Sequence, residues 1–508
     1  MGLVLALSGV CGAPLAHAAG APATSAPPLA ATVVNGSSVY SPAQLFAVYR
    51  AELGKPITPA TVQAILASLE AMYVQAGYWQ PALRVDEALV ASGILEITVL
   101  EPRISSVAIH GDPGPYGLRL DRLCAPLRGL RAPRAAQVRR QLQRMRALPG
   151  LTVGARLVPE KGQGGAYQLL LDVSFQPANI TLQWTSQGTS EVGPDVFVAQ
   201  LAFNDALHDA GQLGLLASSA SAYDEYHGAG LFAQMPLGSE GTALYLFGFR
   251  SLALPSEQPP GEDYEFEQHL GSLQLSQSLP AGGPLDTLSV SGALDLDDLI
   301  VTQDGVTLQA DRLRVLELAV LAGWHDALAQ YASALTLRHG LSGLGAGLQG
   351  ELFDPARRDD FTDLQLHLER LQQLSPRWTL RLDALGQDSG QVLPYTEQFK
   401  IGGELIGEGF AVPELVGDTG IGGRAQLGYR IAGTADRLGV LSVYGAYDIG
   451  AVWQHDEPGL ESAASAVLGL ALARADGSLY VEAAKPLTYP DLNGSRETLL
   501  LAGVTLQL

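Results

Sequence analysis

The sequence predicts a membrane β-barrel of about sixteen antiparallel strands, preceded by two small α/β modules of order β-α-α-β-β. Three observations point there. Beyond Pro177 the helical periodicity of the first third gives way to strand-length segments that alternate apolar and polar side chains. Charged residues make up only 16% of the chain, against 47% hydrophobic residues and 58 glycines, which suits a large β-structure with an unusually apolar exterior. Outside the first twenty residues, no uncharged apolar run reaches the roughly 20 residues that a spanning helix needs. Any membrane crossing therefore rests on strands.

The N-terminus, residues 1–18, reads as an export signal. Leu3 to Leu15 form a mostly apolar core, and Ala16-His17-Ala18 places small residues at the two positions a signal peptidase tests, although nothing basic precedes Leu3. Residues 19–32, AGAPATSAPPLAAT, read as a flexible leader. Cleavage removes Cys11 and leaves Cys124 alone, so an internal disulfide is not what stabilises the exported protein. A closed barrel is stabilised instead by its complete inter-strand hydrogen-bond ladder.

The first module spans residues 33–101. Val33 and Val34 begin a strand that Asn35-Gly36 turns, and Pro42 sits early in a helix carrying Leu45, Val48 and Tyr49. Thr58 is a good N-cap with Pro59 at the first helical position. The helix that follows sets Val62, Ile65, Leu66, Leu69, Met72 and Tyr73 on one face until Gly77 ends it. Strands near Leu83 to Val85 and Ile94 to Leu100 close the module. Residues 102–176 repeat the order: a strand at Ser105 to Ile109, helices around Leu118 to Leu127 and Arg134 to Leu148, then strands at Thr152 to Leu157 and Tyr167 to Phe175. This second module is basic, whereas the whole chain carries a net charge of −21. Such asymmetry argues against nucleic acid as the main partner. Arg139, Arg140 and Arg144 crowd its second helix, either as a solvated face or as a surface for a partner. Cys124 lies on an apolar helix face and reads as core.

Residues 177–508 read as the barrel. Strands of about ten residues, the length a tilted transmembrane strand needs, begin near Asn179, Val196, Leu213, Ala229, Ala243, Glu265, Thr287, Leu313, Ala327, Leu364, Trp378, Gly422, Leu441, Ser465, Ser478 and Thr498. Alternate connections look short, and the longest, about 388–421, separates the eleventh and twelfth strands. From Leu441 to Trp453 the odd positions are apolar and suit lipid, whereas the even ones include Ser442, Tyr444 and Asp448. The same parity places Arg424, Gln426 and Arg430 opposite Ala425, Leu427, Tyr429 and Ile431.

Few small motifs carry chemistry. Gly343 to Gly347 lacks the Lys-Ser/Thr of a phosphate loop and reads as a Gly-rich outer loop. Asp295, Asp297 and Asp298 lack the order of a Ca²⁺ loop and read as a solvated acidic loop. The histidines show no HExxH spacing, and no serine sits in a G-x-S-x-G elbow. No cofactor or metal is indicated, and the chain reads as a binding module and pore rather than an enzyme.

Four segments, in order, carry a resemblance. GKPITPATVQAILASLEAMYVQAGYWQPAL (54–83) with Gly93 to Ile97, and LPGLTVGARLVPEKGQGGAYQLLLDV (148–173), resemble the two polypeptide-transport-associated (POTRA) domains of the two-partner secretion transporters. FKIGGELIGEGFAVPELVGDTGIGGRAQLGYR (399–430) is similar to that family's lumen-inserting loop, and VYGAYDIGAVW (443–453) to the strand its tip touches. These are the haemolysin and filamentous haemagglutinin secretion/activation proteins, in the outer-membrane assembly superfamily. The resemblance implies an outer-membrane barrel with POTRA domains in the periplasm. These would capture an unfolded exported protein by strand addition and pass it through the lumen. It implies as partners a large secreted β-helical protein, outer-membrane lipid and lipopolysaccharide, and the barrel assembly machinery for insertion. The rival within the superfamily is an assembly factor for other barrels, which more often carries additional POTRA domains.

The resemblance also assigns the loop tip to Gly407, Glu408, Gly409 and Phe410, facing Arg424 and Asp448 on the wall. There the family reads VRGF or VRGY, so an acid replaces its arginine, and Arg424 or Lys400 is left to compensate. Two further departures are the end at Leu506-Gln507-Leu508, where an aromatic is usual, and a leader too short and Pro-rich for a plug helix.

Overall fold

The computed structural model describes residues 26–508 except 161–163, 190–192, 208–210, 239, 257–261, 282–284, 351, 353, 355, 411, 432–438, 456–458 and 489–496. The expected export signal and the start of the leader lie outside the described residues. The chain divides into two compact units. One holds the residues up to Ser105 with 129–135 and 159–167; the other holds the rest.

In the first unit, strand Ala31–Asn35 pairs in parallel with Ile94–Leu100, which pairs antiparallel with Ala82–Asp86. Helix α1 (Pro42–Tyr49) starts on a capping box between Ser41 and Gln44. Helix α2 (Pro59–Gln75) starts on Thr58, whose hydroxyl accepts the Thr61 N–H at 3.2 Å. Ile65 and Leu69 of α2 pack with Leu95 and Ile97 of the central strand. Leu29 joins this core at 1% exposure, and its N–H donates to the Lys55 carbonyl at 2.8 Å. The leader expected to be flexible through Thr32 is thus already tied down at Leu29, because one large apolar residue in a polar stretch finds the core beneath it.

The second module carries α3 (Gly117–Cys124) and α4 (Ala135–Arg146) over a sheet ordered Arg103–Asp112, Ala166–Phe175, Leu151–Pro159. Val138, Leu142 and Met145 of α4 are buried. Cys124 is fully buried, and that burial pushes its thiol up to about 11.

Sixteen strands, among the described residues, close into a barrel from Ala178–Thr185 to Leu499–Gln507. Each pairs antiparallel with the next, and the last returns to the first with Gly503 opposite Thr185 and Gln507 opposite Thr181. Strands Leu285–Gln303 and Val306–His325 are about twice the length expected of a spanning strand and meet at the tight turn Asp304-Gly305. Asp295, Asp297 and Asp298 therefore lie in a strand and not in the acidic loop the sequence suggested. The ladder leaves them partners on neighbouring strands. Ser272 donates to Asp295 at 2.7 Å, Gln268 to Asp297 at 3.0 Å, and Arg314 to Asp298 at 2.5 Å. A three-residue strand, Gly347–Gln349, adds to the outer part of Val306–His325.

Side-chain parity holds around the sheet. Odd positions of Val440–Trp453 point out, with Tyr447 and Ile449 about half exposed, while Asp448 is completely buried inside. Outward leucines line up across strands, Leu318 opposite Leu337 and Leu337 opposite Leu364. Near the short turns, Trp324 stacks on Tyr331 and Trp378 lies against Tyr429, with ring centroids 5.2 and 4.8 Å apart. Such aromatic belts sit at the edge of the hydrocarbon.

Two outcomes follow. Leu337→Arg sets a charge at the outward row and should lower stability by about 2–4 kcal/mol in bilayer refolding titrations. A change below about 0.5 kcal/mol would place that face in water. Cys124 should resist maleimide at pH 8 in the folded protein and react fully once denatured. Rapid native labelling would contradict its burial.

Candidate functional site

The connection between Trp378–Ser389 and Thr419–Arg430 is the longest among the described residues, and it turns inward. Phe399–Ile401 pairs antiparallel with Leu415–Gly417, making a short hairpin stem. Phe399, Ile401, Ile406, Phe410 and Leu415 of this loop pack with Val452 and Ala463 of the inner wall. The barrel is thus plugged by a small apolar core of its own. The wall accommodates it by lacking side chains. A Cβ on Gly450 would stand 2.7 Å from Ile406 Cγ2 and 2.8 Å from Ile401 Cδ1, so the loop reaches the wall only because glycine is there.

At the tip the chain turns tightly, with the Phe410 N–H donating to the Gly407 carbonyl at 2.9 Å. Gly407 has φ +82°, a left-handed backbone that favours glycine. Its N–H donates to Asp448 Oδ1 at 2.7 Å. Ser465 adds its hydroxyl to the same carboxylate at 2.7–2.8 Å. Glu408 points to the wall and forms an ion pair with the Arg424 guanidinium, which also donates to the Glu404 carbonyl at 2.9 Å. Arg424 lies directly across the ladder from Asp448, at 3.8 Å between charged atoms. Gly409 rests against the backbone of Lys485 and Pro486.

Gly407, Glu408, Phe410, Arg424 and Asp448 thus meet at one place, and Arg424 supplies the compensating cation. Lys400 instead stands over the Tyr395 ring at 4.9 Å. Charges are exchanged relative to the pattern expected of the family. The acid is on the loop, and the arginine is on the wall beside the aspartate. Sequence reasoning missed Tyr444 and Glu482, which complete this cluster. Both sit on inward positions of their strands, and Tyr444 donates to Glu482 at 2.5 Å. Parity marked the even positions of Val440–Trp453 as inward, but nothing in the sequence brought Glu482 beside them.

The arginines of α4 lie elsewhere. Arg139 forms an ion pair with Asp286, and Arg144 pairs with Glu240 at 2.8 Å, both at the short-turn end of the barrel. His325 also contacts Asp286. Between α4 and these turns is a cleft of about 540 Å³, lined by Arg140 and by Gln234, Ser276 and Ser289 of the barrel. The Arg140 Nε is buried without a hydrogen-bond partner.

Residues 288–472 match the family described as haemolysin secretion/activation protein ShlB/FhaC/HecB, and residues 28–102 match the ShlB-type POTRA domain. The outer membrane transporter CdiB of Dickeya dadantii (strain 3937) is 22% identical over 442 residues, 84% of this chain and 77% of that protein. Among solved structures, CdiB from Escherichia coli superposes with a TM-score of 0.76 at 18% identity, covering 97% of this chain and 93% of that one. CdiB from Acinetobacter baumannii gives 0.65 at 17%, covering 95% and 90%.

Breaking the tip contact has a predictable size. Glu408→Ala leaves the Arg424 charge buried without its ion-pair partner, with Asp448 a more distant carboxylate at 3.8 Å, and should weaken loop seating by about 3–5 kcal/mol. The readout is the open fraction of single barrels in planar bilayers. The double exchange of Glu408→Arg with Arg424→Glu should recover most of the closed state. No recovery would show that position, not charge pairing, holds the tip.

Proposed function

We infer that this chain, which belongs to the haemolysin secretion/activation family of outer-membrane transporters, carries an exported protein partner across the outer membrane by two-partner secretion. Its POTRA modules stand in the periplasm, and its barrel spans the membrane. The carrying observation is the loop: a barrel closed on itself has its lumen filled by a small hairpin held through a modest apolar core and a few polar contacts at its tip. Such a plug can leave without unfolding the wall.

The finer steps extend that reading. The partner, a large secreted β-helical protein, is captured as an extended strand on a POTRA sheet edge. Strand Ala82–Asp86, outermost in its three-stranded sheet, supports this. The cleft beside α4 is the handover point, with Arg140 contacting the partner while Arg139 and Arg144 hold the helix to the barrel turns. Gly407 to Phe410, with Arg424 and Asp448, act as the gate. Lipid and lipopolysaccharide cover the outward leucine rows, and the barrel assembly machinery inserts the sheet. The chain works as receptor and conduit, not as an enzyme. Folding of the partner outside supplies the drive, since the periplasm offers no nucleotide.

Export of the co-expressed partner tests this. Deletion of residues 33–175 should leave a heat-modifiable barrel in the outer membrane and abolish secretion. Undiminished export would refute capture. Arg140→Glu should slow export several-fold while Arg140→Lys retains it. Loss of other outer-membrane proteins on depletion, with secretion intact, would instead support an assembly factor.

A further inference from the structure

Three carboxyl groups and one guanidinium share the loop-tip cluster. Glu408, Asp448 and Glu482 are 3%, 0% and 4% exposed, and Arg424 is 8% exposed. Asp448 is well served, with the Ser465 hydroxyl, the Gly407 N–H and Arg424 around it. Glu408 and Glu482 differ. Their carboxyls lie within hydrogen-bonding reach of one another, one from the loop and one from strand Gly477–Pro486. Two ionised carboxylates at that distance, in a site closed to water, repel; one proton between them turns repulsion into a strong hydrogen bond. The single guanidinium cannot neutralise all three acids.

We propose that Glu482 is a positioning residue of the gate. With Tyr444 oriented on its other side, it grips the loop through a proton held jointly with Glu408, and loss of that proton releases the tip. The inference rests on the loop being the gate of the transporter, and it makes that gate responsive to acidity. Every titratable group facing Glu408 fits this account. Arg424 comes from one strand, Asp448 and Tyr444 from the next, Glu482 and Tyr480 from a third, and Glu404 from the loop itself. Among the described residues Arg424 is the cation that faces Glu408, and it already pairs with Glu408 and Asp448, so removing the shared proton adds a negative charge to a site rich in acids. Burial, and then the neighbouring Glu482 carboxyl, push Glu408 above the ordinary carboxylate range.

The sign follows from proton linkage. The seated loop binds one proton more than the released loop, whose Glu408 has an ordinary carboxylate in water. Seating is therefore fully supported at pH below that ordinary range and is progressively lost as pH rises toward the raised value of Glu408. One proton per opening event makes the open-to-closed ratio rise by up to about tenfold per pH unit.

The experiment uses the full-length protein in planar bilayers, with no partner present, and records open fraction from pH 5.5 to pH 9. A failed gate and a failed transport assignment are thereby read separately. The native chain should open increasingly with pH. Glu482→Gln, whose amide donates to Glu408 without a titrating proton, should stay at the closed level across the range. Tyr444→Phe, which removes a donor competing with Glu408 for the Glu482 carboxyl, should move the rise to higher pH. If Glu482→Gln does not insert, judged by heat-modifiability, Glu408→Gln should give the same flat profile. A pH-independent native channel would overturn the proposal. So would a glutamine variant, Glu482→Gln or in its stead Glu408→Gln, that keeps the native profile.

Discussion

Each backbone N–H and C=O that passes through hydrocarbon must find its partner inside the protein, because lipid offers none. The sixteen-stranded sheet meets this demand only because its last strand pairs with its first. Much else follows from that closure. Alternate side chains must face either lipid or the interior, which makes rows such as Leu318, Leu337 and Leu364 apolar on the outside. The same alternation concentrates Asp295, Asp363, Asp383, Arg424 and Asp448 on the inside, where side chains of other strands and of the loop supply partners.

A wide polar interior would leak, and the inserted loop addresses this with a different kind of interaction. Its apolar part, around Phe399, Ile401 and Ile406, forms a core of modest size against glycine-bearing stretches of wall. Its tip adds charges that are almost wholly buried and therefore depend on one another. A buried pair is expensive to break and contributes little in net terms while intact. The arrangement specifies one seated position without making it much more stable than the alternatives. A local element of low stability within a rigid frame is the kind that moves. The second α/β module is fastened differently. Its ion pairs, Arg139 to Asp286 and Arg144 to Glu240, are partly exposed and weaker individually.

Most strand starts could be read because period-two alternation is a local property, as the exact starts at Val196 and Trp378 illustrate. The long hairpin of Leu285–Gln303 and Val306–His325 is only partly legible for the same reason. Closely spaced acids resemble a loop when partners such as Ser272 and Arg314 on other strands are out of view. Leu29 reads as leader because its neighbours are alanine and proline, and only packing distinguishes it.

Residue order alone determined which side chains of Thr419–Arg430 and Val440–Trp453 turn outward, where the long loop lies, and that Glu408 stands where the family resemblance leads one to expect arginine. These depend on spacing along the chain, which the covalent backbone carries. Three-dimensional closure decided the company that Glu408 keeps. Arg424, Asp448, Tyr444 and Glu482 come from three strands, and their meeting depends on sheet curvature, register and the return of the loop. Electrostatic energy depends on distance through space, so a charge pattern read in one dimension could not reveal that three acids share one cation.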